Sequence, residues 1–249
     1  MTAAVFHVDP TAAAGVRVGD VIELSGPEGR HAVAVKRVEV GERIDLGDGV
    51  GTILRATVEQ VTGRDSLRAR VGERVVLAPP RPRIIVVQAL PKGERGENAV
   101  ETLTEVGVDV IVPWAAERCV ARWTGDKAQR GPARWAATAR AAGKQARRAW
   151  LPDVAGLART AEVEALVSSA ACAIVLHEDA QTPVRHIAVP AEGDVVLIVG
   201  PEGGLSPDEL ARFTAAGARP ARLGPTVLRT STAGTVAAAV ILAATSRWS

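Results

Sequence analysis

The run DVVLIV, Asp194 to Val199, restricts the fold more than any other stretch of this chain. Its apolar residues do not alternate with polar ones, so both faces of the strand need cover. That is the condition of a central strand in a parallel sheet with helices on either side. A helix start follows almost at once. In LSPDEL, Ser206 reads as N-cap, Pro207 as the first helical residue, and Glu209 as the far side of an S-x-x-E capping box. Between strand and helix stand Gly200, Pro201, Glu202, Gly203 and Gly204. So little side-chain bulk lets backbone groups approach a ligand closely, although a tight turn alone accounts for one such loop equally well.

The same grammar runs through the second two-thirds of the chain. IIVVQAL, DVIVPW, ACAIVLHED and ARPARLG predict further strands. NAVETLTEVG predicts a helix ending at Gly107, and PARWAATARAAGKQARRAW an Ala- and Arg-rich helix over 132–150. Alternating strands and helices predict an α/β domain with a mainly parallel sheet, whose ligands sit beyond the carboxyl ends of its strands. Before it, VGDVIELSG, GERIDLGDG, GTILRATVEQV and SLRARVGERVVL are short β-branched runs between Gly and Asp turns. They predict a small barrel or sandwich. APPRPR, Ala78 to Arg83, is a stiff connector, which divides the chain into 1–77 and 78–249.

Several function classes fall away. Cys119 and Cys172 lie outside any C-x-x-C pattern, and His7, His31, His177 and His186 lack metal-ligand spacing, so no disulfide framework and no metal are expected. The opening MTAAVFHVDP has neither a basic nor an apolar leader region, and the longest apolar run, VAAAVILAA, is too short for a bilayer. A cytoplasmic protein with no membrane partner is expected, that run forming a buried C-terminal helix. G-x-x-x-x-G-K-[ST], G-x-G-x-x-G after a strand, and G-x-S-x-G are all missing, which disfavours a phosphate-cradling loop and a hydrolase triad.

Charge is unevenly spread. Residues 81–150 carry 13 basic and 7 acidic side chains, a net of +6, against a net of +2 for the whole chain. The middle is a candidate polyanion surface, or simply a solvated face. Within it Arg140, Lys144 and Arg148 are spaced i, i+4, i+8, one side of the expected helix, a pattern able to follow phosphates. The 3% aromatic content argues against base stacking as the main source of affinity for a nucleic acid.

A second Gly-Pro turn, in RLGPTVLRTSTAG (Arg222 to Gly234), again leads from a strand into a helix, with Thr230 or Ser231 as its expected cap. Two such loops, with VLHED at a third strand end, predict the walls of one pocket. GPEGGLSPDEL followed by LGPTVLRTSTA resembles the C-terminal signature of the ribosomal RNA small subunit methyltransferase E family, bacterial 16S rRNA uridine-N3 methyltransferases of the SPOUT superfamily. LPKGERGENAVETLTEVGVDVIVPWAAERCV is similar to the family's central segment, KQARRAWLP to a further one, and RHAVAVKRVEVGERIDLGDG to its N-terminal part. The chain departs from the family pattern at Thr102, Lys144, Thr226 and Ser231.

The resemblance implies a PUA-like RNA-binding β-barrel over 1–77 and a SPOUT α/β domain over 78–249 with a trefoil knot. It implies S-adenosylmethionine as cofactor, 16S rRNA in the small subunit as partner, and a homodimer. Cofactor residues implied are Leu176, His177, Glu178, Val199, Gly200, Pro201, Glu202, Gly203, Gly204, Leu223, Gly224, Val227, Leu228, Thr230 and Thr232. Arg229 and Glu202 are the implied catalytic residues. RNA contacts are implied for Arg30, His31, Arg37, Lys92, Arg95, Arg118, Arg140, Lys144 and Arg148. A non-catalytic RNA-binding module and a SPOUT enzyme acting at another RNA position stay open as alternatives.

Overall fold

The computed structural model describes residues 3–93 and 95–248. Its contacts divide the chain into one unit of residues 1–79 and 143–151 and another of 80–142 and 152–249. The first unit carries strands β1 (Ala4–His7), β2 (Val21–Leu24), β3 (Arg43–Gly47), β4 (Thr52–Thr62) and β5 (Ser66–Val76) in the order β1-β3-β4-β5-β2. Only the β1–β3 pair is parallel. Alternation along β4 and β5 sends Leu54, Val58, Leu67 and Val71 into a core with Phe6, Leu24 and Ile44. Helices α1 (Pro10–Ala14) and α2 (Gly26–Arg30) are single turns, and α2 runs into a π-helical turn over His31–Val35. Residues 149–151 join this unit by backbone hydrogen bonds: Gly51 N–H to Ala149 O at 3.0 Å and Leu151 N–H to Gly49 O at 2.9 Å.

The second unit is the α/β domain. Its strands are β6 (Arg83–Ala89), β7 (Val110–Trp114), β8 (Asp153–Val154), β9 (Cys172–Leu176), β10 (Asp194–Val199) and β11 (Arg219–Ala221). They form one parallel sheet, order β11-β9-β10-β6-β7-β8. Its helices are α3 (Arg95–Val106), α4 (Asp126–Gln145), α5 (Thr160–Ser169), α6 (Pro207–Ala215) and α7 (Thr230–Ala243). DVVLIV is β10, a central strand with β9 and β6 on its two sides. Five of its six residues are buried, as an uninterrupted apolar run requires. Leu176 pairs with Ala221 and Ile198 with Val175, so the chain leaves β9, β10 and β11 at one edge of the sheet.

Helix α4 corrects the expected basic stripe. The helix ends at Gln145, not Trp150, because Arg147 turns left-handed (φ 57°) and Arg148 N–H bonds back to Gly143 O at 2.9 Å. Arg148 therefore lies beyond the helix and not on a face with Arg140. Lys144 is not a free cation either: its Nζ is 2.7 Å from Glu28 Oε2 and 5.0 Å from the centre of the Phe6 ring.

Candidate active site

Beyond the ends of β9, β10 and β11 lies a cavity of about 340 Å³, within the range of small-molecule sites. Leu176, His177 and Glu178 line it from the end of β9; Val199, Gly200, Pro201, Glu202 and Gly204 from the loop after β10. Leu223, Gly224, Val227, Leu228, Arg229 and Thr230 complete it from the loop before α7. The two Gly-Pro loops thus face one space, as their repetition in the sequence suggested. Leu205, Ala221, Arg222, Pro225, Thr226 and Ala233 also line it and were not foreseen. Gly203 and Thr232 do not. Gly203 backs onto Arg118, whose Cβ would stand 3.2 Å from a Cβ at Gly203. Thr232 bonds within α7, its hydroxyl donating to Arg229 O at 3.1 Å.

The shape of the first loop comes from local chemistry. Gly204 adopts φ 71°, a conformation that L side chains rarely take, and its N–H closes a turn on Pro201 O at 2.9 Å. A Cβ at Gly200 would meet Leu205 Cγ at 3.2 Å. The capping box forms as the sequence predicts: Ser206 Oγ accepts Glu209 N–H at 3.2 Å and Glu209 Oε2 accepts Ser206 N–H at 3.1 Å. Glu209 is 2% exposed, and its Oε1 also accepts Glu117 N–H at 2.8 Å and the Thr160 hydroxyl at 3.4 Å. One buried carboxylate thus joins the start of α6 to the chain after β7 and to α5.

Cations gather on the outside of this loop. Glu202 Oε1 accepts Lys92 N–H at 3.1 Å and lies 3.9 Å from Arg95 Nη1. Arg118 Nη1 donates to Gly203 O at 3.3 Å and Leu205 O at 3.2 Å. Lys92, Arg95 and Arg118, expected as RNA contacts, therefore stand together against the pocket wall. Arg140 is exposed on α4. Arg30, His31, Arg37, Lys144 and Arg148 belong to the first unit. There His31 sits edge-on to Phe6 at 6.0 Å. Burial pushes its pKa below the usual histidine value, and the nearby Lys144 charge pushes it further down.

The second loop corrects the expected cap. Arg229, not Thr230 or Ser231, is the N-cap residue of α7, and no side chain caps that end. Arg229 is exposed, lines the cavity, and makes no side-chain hydrogen bond or ion pair among the described residues. His177 is oriented by its neighbour: its Nδ1 accepts Asp179 N–H at 3.2 Å, which leaves the proton on Nε2.

Sequence reasoning missed Gln88. It stands in the apolar strand β6, fully buried, opposite Val199. Its Nε2 donates to Ala89 O at 3.1 Å and Thr230 O at 3.3 Å, while its Oε1 has no hydrogen-bond partner among the described residues. Such an unpaired buried acceptor costs about 1–3 kcal/mol. A polar residue inside an otherwise apolar strand was the only signal.

Two family models match the chain: an RNA methyltransferase domain over residues 79–242 and an RNA methyltransferase PUA domain over 24–72. Proteins named ribosomal RNA small subunit methyltransferase E from Mycobacterium bovis and Mycobacterium tuberculosis are each 48% identical over the whole chain, covering 94% of their own length. The chain belongs to the ribosomal RNA small subunit methyltransferase E family. A Legionella pneumophila protein solved in complex with the bound cofactor SAM is 28% identical, with a TM-score of 0.84 over 98% of this chain and 99% of that one. The family's α/β methyltransferase domain is here the parallel-sheet unit, and its PUA match falls on the β-rich unit. Among the described residues, no group of three or more His, Cys, Asp or Glu could hold a metal ion, and no helix is long and apolar enough to cross a membrane.

Proposed function

We propose that this chain methylates N3 of a uridine in 16S rRNA of the small ribosomal subunit, using S-adenosylmethionine. The observation that carries the reading is the cavity between the two Gly-Pro loops, with Arg229, unpaired among the described residues, at its wall. The residues suit the cofactor. Leu176, Val199, Leu223 and Leu228 offer apolar surface for an adenine, and the bare backbone of Gly200 and Gly204 offers polar groups for its edge and the ribose. When bound, the cofactor supplies an electrophilic methyl carbon on a sulfonium.

This chain then has three tasks. It holds the uridine N3 in line with the methyl carbon at near-attack distance. It would let the N3 proton pass to solvent water, freeing the nitrogen lone pair for the methyl group that the bound cofactor would supply. It stabilises negative charge on the pyrimidine as that proton leaves, and Arg229 is the group we assign to this. Glu202, already bonded to Lys92 N–H and near Arg95, holds the first loop in place beside the base. RNA would reach the site over Lys92, Arg95, Arg118 and Arg140, with Arg30, His31, Arg37 and Arg148 of the 1–79 and 143–151 unit as further contacts.

The same reading places the protein in the cytoplasm, as a homodimer whose 78–249 domain is knotted. On α7 the apolar side chain of Val236 is 37% exposed, which supports a partner chain there. The test is incubation of the purified protein with small subunits and methyl-labelled S-adenosylmethionine, followed by mass spectrometry of the digested RNA. N3-methyluridine is the expected product. A labelled ribose or another labelled base would overturn the assigned position, and no label at all would overturn the reaction.

A further inference from the structure

The amide of Gln88 can be oriented in only one way. Two carbonyl oxygens, of Ala89 and Thr230, stand at 3.1 and 3.3 Å from one end of it, so that end is the nitrogen. Its Oε1 is thereby turned toward α7 at Gly234, where a Cβ would approach it to 3.3 Å. The same hypothetical Cβ would be 3.2 Å from Val199 Cγ2. Gln88 therefore fills the joint where β6, the end of β10 and the first turn of α7 meet. Val199 and Thr230 both line the cavity, and Arg229 precedes Thr230. No side chain caps α7 at Arg229. Within this joint, the amide of Gln88 is the side-chain group that grips the backbone of the first helical residue, Thr230.

A buried amide with an unpaired oxygen is a poor choice for stability alone, since an apolar side chain of similar shape leaves nothing unsatisfied. We propose that Gln88 is a positioning residue for methyl transfer. It anchors the start of α7 through Thr230 O and so sets the direction in which Arg229 enters the pocket. This rests on the assignment of Arg229 to the transition state.

The substitution Gln88→Met keeps volume and removes both polar atoms. In the full-length protein we expect a melting temperature equal to or above wild type, affinity for S-adenosylmethionine within about threefold, and kcat lower by on the order of tenfold. In an Arg229→Ala background the same substitution should lower kcat no further, because its effect passes through Arg229. Unchanged kcat in Gln88→Met overturns the proposal, and so does a joint fall of melting temperature, affinity and kcat, which a purely structural role predicts. An undiminished tenfold loss in the Arg229→Ala background overturns the route through Arg229. If the wild-type protein neither binds S-adenosylmethionine nor methylates small subunits, the functional reading itself has failed, a result separable from all of these.

Discussion

Glu209 Oε1 accepts the backbone N–H of Glu117 at 2.8 Å, joining the start of α6 to a residue 92 positions earlier in the chain. The same carboxylate closes the capping box with Ser206 and reaches Thr160. The loop after β10 is thus held at its α6 end by a buried acidic group and on its outer side by Arg118.

Glu209→Ala strands the Ser206 and Glu117 amides and should cost about 3 kcal/mol, since bonds to a charged acceptor contribute roughly 1.5–3 kcal/mol each and caps about 1. Glu209→Gln keeps one acceptor oxygen and should cost about 1 kcal/mol. Denaturant melts of the two variants would check the order. Equal losses would mean that the oxygen retained in Gln contributes nothing.

Arg229→Ala should lower kcat by on the order of 100-fold, the scale of losing one group that stabilises developing negative charge. Calorimetry with S-adenosylmethionine should give a Kd within about threefold of wild type. A collapse of cofactor binding with little change in kcat would reassign Arg229 to the ground state.

Much of this arrangement was legible beforehand, for physical reasons. β6, β7, β9 and β10 are covered on both faces, so they read as nearly continuous apolar runs, broken in β6 only by Gln88. The start of α6 is decided by Ser206, Pro207 and Glu209, residues within one turn of each other, so local chemistry was enough. Long-range partners left no such trace. β1 and β8 are four and two residues long and gain their pairing from strands far along the chain. The end of α4 follows from the left-handed Arg147 and from backbone bonds of residues 149–151 to Gly49 and Gly51, which no helical spacing records. The carbonyls of Gly203 and Leu205 that Arg118 meets, 85 and 87 positions away, leave no mark in the sequence either.

His31 should titrate below the ordinary histidine value of 6.5, chiefly through burial and secondarily through Lys144, against an opposing pull from Glu28. A folded pKa below the unfolded one favours the neutral ring. The stability it contributes is therefore full above about pH 6.5 and is lost as pH falls through the depressed folded value. In Lys144→Met a repelling cation is gone and Glu28 is left without it, so the His31 pKa should rise. Proton NMR of the imidazole across pH 4–8 (roughly the span in which histidines titrate) would check this, and a value unmoved or lowered by the substitution would contradict the stated causes.

Arg140 and Lys144 are one helical turn apart on α4, yet they should behave differently toward RNA. Arg140 is exposed and has no ion pair among the described residues. It is available to a phosphate, and each such contact contributes about 0.7–0.9 to the slope of log affinity against log salt. Arg140→Ala should therefore reduce that slope by about this amount, with stability changed by less than about 0.5 kcal/mol, as for an ordinary surface substitution. The Lys144 side chain is 19% exposed and is held 2.7 Å from Glu28. Its charge is already matched, so Lys144→Met should leave the salt slope as it is and lower the melting temperature instead, because Glu28 loses its partner. Binding isotherms with a small-subunit RNA fragment over a range of salt, run beside thermal melts, separate the two. A reduced slope in Lys144→Met would mean that the pair with Glu28 opens when RNA binds.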